Sequence, residues 1–530
     1  MTLQEGSIIP EFKMYADRLE PIEREEIEQR FLVEMKGGKD RFRSFTDVLT
    51  EYVGSGEFSH RSPGFVAMCA KACFLRGKYG FNQLLAKQTD SLTAKGYAAS
   101  AYCRQSLDPR WLNNLRHYVN QLWQEKDYTA YAELSGELAS VLVDLGYYGR
   151  AREIASESME KVTKATSDNR DIRASVQAAL LRPRILLASL LIQSKSREEG
   201  LIRLDSAKTT AKLLDHQLAI TDIRYYRAMA LEYSNEYDRA LSLVNSVLRD
   251  YERMGNIQGL ANARNLKGII FVNRGRLQDA RDNFEELLLL QQRLNDQIGL
   301  TKTLINVGEI DRALGQIDQM ETYNQRALEI SEEAEYLRGI ATATINLGDV
   351  ALRKGKIEQA IQRYEEGIEI AEKSQMKQIM GLGLFLAADA HFMAQDFDTA
   401  IELYRKAEKV SSETDHPLFV FNAKVSQIIT EWERGRPGDE DVLEEIYEVL
   451  GPAQSWIQSD DSSLMGDARR TIYQDPSVES ETCIFYDGEK SFECRVERTS
   501  LGKECFGNLF WMRQLCPYFK NFISELDEAL

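Results

Sequence analysis

From about Leu201 to Ser412 the apolar residues recur at three- and four-residue intervals, in segments of helical length separated by short polar turns. In one such segment Leu277, Ala280, Phe284 and Leu287 fall on a single stripe, the pattern of an amphipathic helix with one buried face. The turns themselves repeat. Ser234 to Tyr237, Arg274 to Leu277, Leu314 to Ile317, Lys354 to Ile357 and Ala394 to Phe397 each begin 40 residues after the one before. Ala240, Ala280, Met320, Ala360 and Ala400 keep the same step, and so do Gly268, Gly308, Gly348 and Ala388. Three columns in one register predict a tandem array of two-helix units. In each unit the small residues let two helices approach, and Phe284, Tyr364 and Tyr404 fill the space between units. Neither helix can bury its stripe alone, so stacked neighbours supply the core.

Small residue in the first helix, Ala at the start of the second, aromatic four positions later: Gly348, Ala360 and Tyr364, followed by Gly367, resemble the tetratricopeptide repeat family. The 40-residue period is similar to the subclass found in LGN/Pins adaptors, rapsyn, the MalT regulator and Rap-type regulators. That resemblance is carried by Leu201 to Ser412, about two-fifths of the chain. It implies an all-α fold, a right-handed superhelix or α-solenoid, whose inner groove holds other molecules. A fold of this kind names no ligand.

The ruler extends with less regularity to either side. Gly200 and Gly435 fall on it, Gly146 with Ala151 marks another unit, and Gly77 a weaker one. Pro183, inside an apolar run, predicts a kink or break, because proline removes a helical N–H and crowds the preceding turn. The expected organisation is a helical extension at 1–60, degenerate hairpins at 61–200, regular 40-residue units at 201–415, a capping helical hairpin at 416–458 and a small C-terminal module at 459–530. Alternation around Asp487-Gly488 predicts a β-hairpin in that module.

Composition narrows the function classes. With 43% hydrophobic and 28% charged residues and only 10 prolines, the chain should be folded from end to end, and its composition favours an all-α fold. A formal charge of −17 makes nucleic acid a poor partner. The first thirty or so residues lack the pattern of a secretory signal, and the cleanest apolar run, Ile185 to Ile192, is far shorter than a membrane span. Seven scattered cysteines suit reduced thiols, so a cytoplasmic location is expected.

No catalytic constellation emerges. The five histidines are dispersed, the Gly-Lys pairs lack the spacing of a phosphate-binding loop, and Gly54-Ser55-Gly56 is not a nucleophile elbow. The chain is therefore not expected to be an enzyme or to need a cofactor. Cys69 and Cys73 lie one turn apart among apolar residues, which suits core packing. Cys483, Cys494, Cys505 and Cys516 are spaced 11 apart and are weak candidates for a metal site, since zinc sites present ligands in close pairs. A four-residue hairpin loop would put Cys483 opposite Cys494, leaving packed thiols, a metal edge or a disulfide open.

The family resemblance implies where a partner would lie along the first helices of the units. Those positions hold Asp222 and Tyr225, then Asn262, Asn265 and Asn273, then Lys302, Glu309 and Arg312, then Asp349 and Arg353, then Phe385, Asp389 and Phe392. Asn306 and Asn346 are similar to the asparagine ladder with which LGN-type adaptors hold a peptide backbone, a task for which an amide that both donates and accepts is suited. The lysine and asparagine clamp of chaperone-tail binders is absent. The expected function is a protein-interaction scaffold that takes a partner peptide or helix in the groove. A ligand-responsive regulator of the Rap or MalT kind and a tail-centred metal protein or enzyme are the alternatives.

Overall fold

The computed structural model describes residues 8–413, except 107–108, 146, 168–172, 194–195, 235 and 375, with scattered positions from 420 to 434 and two short strands beyond them. A 3-10 turn at Pro10–Phe12 leads into α1 (Lys13–Ala16), α2 (Pro21–Met35) and α3 (Arg41–Gly54). Then come α4 (Pro63–Leu75), α5 (Tyr79–Gln88), α6 (Leu92–Gln105), α7 (Pro109–Gln124), α8 (Tyr128–Asp144) and α9 (Tyr148–Ala165). Next are α10 (Arg173–Ala179), α11 (Leu181–Ile192) and α12 (Arg197–Leu213). Local chemistry starts several of these helices. The carboxylates of Asp40 and Asp127 and the hydroxyls of Ser62 and Ser91 accept backbone N–H groups in the first turns of α3, α8, α4 and α6.

The break predicted at Pro183 is present. α10 ends at Ala179 and α11 begins at Leu181, with Pro183 in its first turn, where a missing N–H is tolerated. The sequence expectation of no long apolar helix needs amending. Ser175–Ile192 is long and apolar enough to cross a membrane, but this break divides it and 72% of it is buried in the protein.

From here the ruler governs. The first helices are α13 (Gln217–Tyr233), α15 (Ile257–Asn273), α17 (Gln297–Ala313), α19 (Leu337–Arg353) and α21 (Lys377–Met393). The second helices are α14 (Tyr237–Met254), α16 (Leu277–Leu294), α18 (Ile317–Glu333), α20 (Ile357–Lys373) and α22 (Phe397–Ser412). Within each set the starts are 40 residues apart. Left-handed backbone marks the turns in the same step: Gly275, Gly315, Gly355 and Gln395 between the helices of a unit, and Asp215, Gly255, Asn295 and Glu335 between units. The small-residue column also serves its predicted purpose. A Cβ on Gly348 would stand 2.7 Å from the Tyr364 ring, and one on Gly268 2.5 Å from the Phe284 ring. Phe284, Tyr364 and Tyr404 are all buried.

The chain divides into two compact units. Unit 1 is Met1–Ile270 with Asp282–Thr303, and unit 2 is Phe271–Arg281 with Leu304–Leu530. The division falls inside the regular array and not at its edges. In unit 1 a large core runs from Phe12 and Phe45 through Tyr97 and Leu134 to Tyr251. The N-terminal helices are tied into the repeats by Tyr79, whose hydroxyl donates to Gln258 at 3.0 Å, and by Arg253 paired with Asp40 at 3.2 Å. Cys69, Cys73 and Cys103 are buried, and burial pushes the Cys73 thiol up to about 12, which suits core packing.

Unit 2 contains β1 (Tyr486–Asp487) and β2 (Glu493–Cys494), paired antiparallel with Tyr486 opposite Cys494 and Asp487 opposite Glu493. Cys494 is therefore the register partner of Tyr486. The capping hairpin at 416–458, apart from scattered positions, and the rest of the C-terminal module, Cys483, Cys505 and Cys516 included, lie outside the described residues.

Candidate functional site

Unit 1 encloses a cavity of about 310 Å³. The first helices α13, α15 and α17 contribute to its wall, together with α8 and α11 from outside the regular array. Five of the nominated residues line it: Asp222 and Tyr225 on α13, Asn262 and Asn265 on α15, and Lys302 on α17. The structure adds residues that no repeat column singled out, chiefly Arg104, Asp144, Arg182, Tyr226, Gln291 and Asp296. Their chain separation explains the omission: Arg104 and Asp144 belong to helices outside the 40-residue register.

The electrostatics of the wall follow from burial. Arg104 pairs with Asp144 at 2.6 Å and lies 3.9 Å from Glu137, while Arg182 pairs with Glu137 at 2.5 Å. Lys302 approaches Asp144 at 3.8 Å. Asp222 accepts the Tyr251 hydroxyl at 2.7 Å, and burial raises its carboxyl to about 6 against that hydrogen bond and the nearby Arg182. Asp296 caps α17 by accepting the Gly299 N–H at 2.9 Å, and burial raises its carboxyl also. Gln291 is 6% exposed, and its Oε1 has no hydrogen-bond partner among the described residues.

A smaller pocket adjoins the cavity and shares Arg182, Leu218 and Asp222 with it. The N-terminal segment reaches this pocket through Met14. Glu11 accepts the Leu218 N–H at 3.1 Å, in the first turn of α13, and its carbonyl accepts Lys71 Nζ at 2.8 Å. Lys71 also pairs with Glu133 at 2.6 Å, and Glu133 accepts the hydroxyls of Tyr97 and Tyr15. His216 caps α13 through Nδ1, and burial lowers it to about 3, so the ring stays neutral.

Unit 2 treats its nominated residues differently. Arg312 pairs with Glu309 at 2.5 Å and lies 3.9 Å from Asp349, and Arg353 pairs with Asp349 at 3.0 Å. The Asn346 amide donates to Glu309 at 2.8 Å and to Asn324 at 3.0 Å. Asn346 is 6% exposed, so its donors are spent inside the unit and not offered to a peptide backbone. Asn306 and Asn273 are half-buried. Asp389 accepts the Tyr404 hydroxyl and is raised to about 7 by burial, while Phe385 packs on Tyr404 and Phe392 on Phe397. No group of three or more metal-ligating side chains occurs among the described residues.

The units match two family models for the tetratricopeptide repeat, one over residues 299–373 and the other over 225–295 and 345–414. The repeats are tetratricopeptide repeats. Their matched span coincides with the regular helices from α13 to α22. No curated protein matches the chain in sequence. Among solved tetratricopeptide-like structures, a Rap protein complexed with competence and sporulation factor is similar at a TM-score of 0.48. Identity is 14%, over 66% of this chain and 91% of that one. The apo form of the quorum sensor NprR from B. thuringiensis is similar at 0.47 and 16% identity, over 66% and 96%. A signal-transduction ATPase with a tetratricopeptide sensor from Pyrococcus horikoshii gives 0.45 and 12%, over 64% and 53%.

Proposed function

We propose that this scaffold takes a short segment of a partner polypeptide into the cavity of unit 1, and that its function is binding and not catalysis. One observation carries the reading: five residues nominated from their repeat positions line one cavity, beside polar side chains from helices elsewhere in the chain. Asn262, exposed, and Asn265, half-buried, supply amides that can both donate to and accept from a peptide backbone. A volume of about 310 Å³ is at the lower end for small-ligand sites and suits a chain end or loop tip better than a long helix. The test is affinity capture with the full chain beside an Asn262→Ala/Asn265→Ala variant. Recovery of the same partners at equal strength by both would refute the reading.

A second reading, a ligand-responsive regulator, is favoured by one contact. The N-terminal segment touches α13 through Glu11 and borders the adjoining pocket through Met14, so an occupant beside Asp222 would press on both. Solution scattering that is unchanged by a bound peptide would count against it.

A further inference from the structure

The cavity of unit 1 holds an imbalance between its charged groups. Each of its three cations already has an acid: Arg104 has Asp144, Arg182 has Glu137, and Lys302 has Asp144. Asp222 and Asp296 have no cation within salt-bridge distance among the described residues. Their side chains are held by neutral donors, the Tyr251 hydroxyl and the Gly299 N–H. With Glu137 behind the wall, four carboxylates face three cations. The buried Gln291 Oε1, without a partner among the described residues, adds an acceptor to the same wall. Tyr225 and Tyr226, edge to face at 4.9 Å, present aromatic rings beside Asp222 on the same helix. Buried acceptors and unpaired carboxylates are unfavourable until a donor reaches them, and aromatic faces attract cations.

We propose that the cavity recognises a cationic hydrogen-bond donor, an ammonium or guanidinium group, held by Asp222, Asp296 and Gln291. This deepens the reading of the cavity as the partner site and rests on it for the peptide source of the cation. A basic side chain of the partner and a free small amine carry the same chemistry, and the experiment separates them. Burial raises both carboxyls, so a bound cation would draw them back toward the ionised form.

The experiment is isothermal titration of the full chain with three probes: agmatine, an end-blocked tetrapeptide containing one arginine, and the same tetrapeptide with citrulline. Citrulline keeps the shape and loses the charge. The arginine peptide is expected to bind at least tenfold more tightly than the citrulline peptide. Asp222→Asn, whose amide oxygen can still accept from Tyr251, should remove that preference by bringing arginine-peptide binding down to the level of the citrulline peptide. Should that variant fail to fold by circular dichroism, Asp296→Asn serves in its place.

Agmatine binding as tightly as the arginine peptide identifies a free small cation as the occupant, whereas a tighter peptide identifies a partner's side chain. Equal binding of arginine and citrulline peptides overturns the proposal, and so does a charge preference that survives in the variant or no binding of any probe at millimolar concentration. The two readings fail separately. Partner capture lost in the Asn262→Ala/Asn265→Ala variant together with charge-blind probes leaves the scaffold function standing without the cation site. Capture unchanged together with charge-selective probes does the reverse.

Discussion

The two units place polar side chains on their first helices and use most of them differently, although each also buries a carboxylate held by a tyrosine hydroxyl, Asp222 by Tyr251 and Asp389 by Tyr404. In unit 2 the residues one repeat apart satisfy one another: Asn346 donates to Glu309, and Arg312 and Arg353 converge on Asp349. In unit 1 the first helices meet helices from outside the regular array, which bring their own acids and bases, and Asp222 and Asp296 remain without a cation. A repeat can thus close its polar inner surface into a network or leave it open to a ligand. The difference lies in whether the neighbour across the face is another copy of the same register.

The sharpest test of that contrast is Lys71→Met. It strips the cation from a pair that is 6% exposed on both sides and leaves Glu133 and the Glu11 carbonyl with one donor fewer. Breaking a buried pair of this kind destabilises by about 3–5 kcal/mol, read as a lower denaturation midpoint.

Asp389→Asn asks whether unit 2 also stores an unfavourable carboxylate. Its carboxyl is raised to about 7 from 3.8, chiefly by burial, with Asp349 raising it further and the Tyr404 hydroxyl opposing. The folded state therefore holds a proton that the unfolded state releases earlier. Stability from this group is greatest below the unfolded value, falls as pH rises toward about 7, and is level above. The asparagine variant should lose that fall and gain roughly 2–4 kcal/mol over the wild type at neutral pH, with no gain in acid. Equal pH profiles of the two unfolding curves would show that the carboxylate is better solvated than its burial indicates. In unit 1 Asp222, raised to about 6 chiefly by burial, predicts the same sign over a narrower range, with Tyr251, Arg182 and Lys71 opposing the rise and Glu137 adding to it.

Gly348→Val probes the packing that the ruler implies. Even its Cβ would meet the Tyr364 ring at 2.7 Å and the Ala360 carbonyl at 3.3 Å, so a loss of about 1–3 kcal/mol is expected on denaturant unfolding. A neutral result would mean that the two helices can separate freely. The smallest effect runs the other way. Gln395 adopts φ of 63°, where the preceding units place Gly275, Gly315 and Gly355, so Gln395→Gly should stabilise by up to about 1 kcal/mol.

Much of the fold was legible because the period is a local property. Helices α13 to α22, their left-handed turns and the contacts of Gly268 and Gly348 with the aromatic column follow from residues at most one repeat apart. The break before Pro183 was equally local. The candidate site was legible only in part. Asp222, Tyr225, Asn262, Asn265 and Lys302 could be nominated from register, but Asn346 could not be told from Asn306. Whether an amide points at a neighbour or away from it depends on Glu309 and Asn324, which the repeat pattern does not rank. Arg104, Asp144 and Arg182 carried no repeat signal that would have placed them in the cavity.

The sequence by itself determined the repeat: its period, its two helices per unit, its glycine turns and its small-to-aromatic packing, all set by steric and hydrophobic preferences that act within about 40 residues. Only the tertiary structure decided which polar side chains share a cavity. Tyr79 meets Gln258 across 179 residues and Glu11 meets Leu218 across 207. Contacts of that range depend on the accumulated geometry of the intervening helices. They bring acids and bases together in numbers that no single repeat balances, with no cation within salt-bridge distance of Asp222 or Asp296 among the described residues.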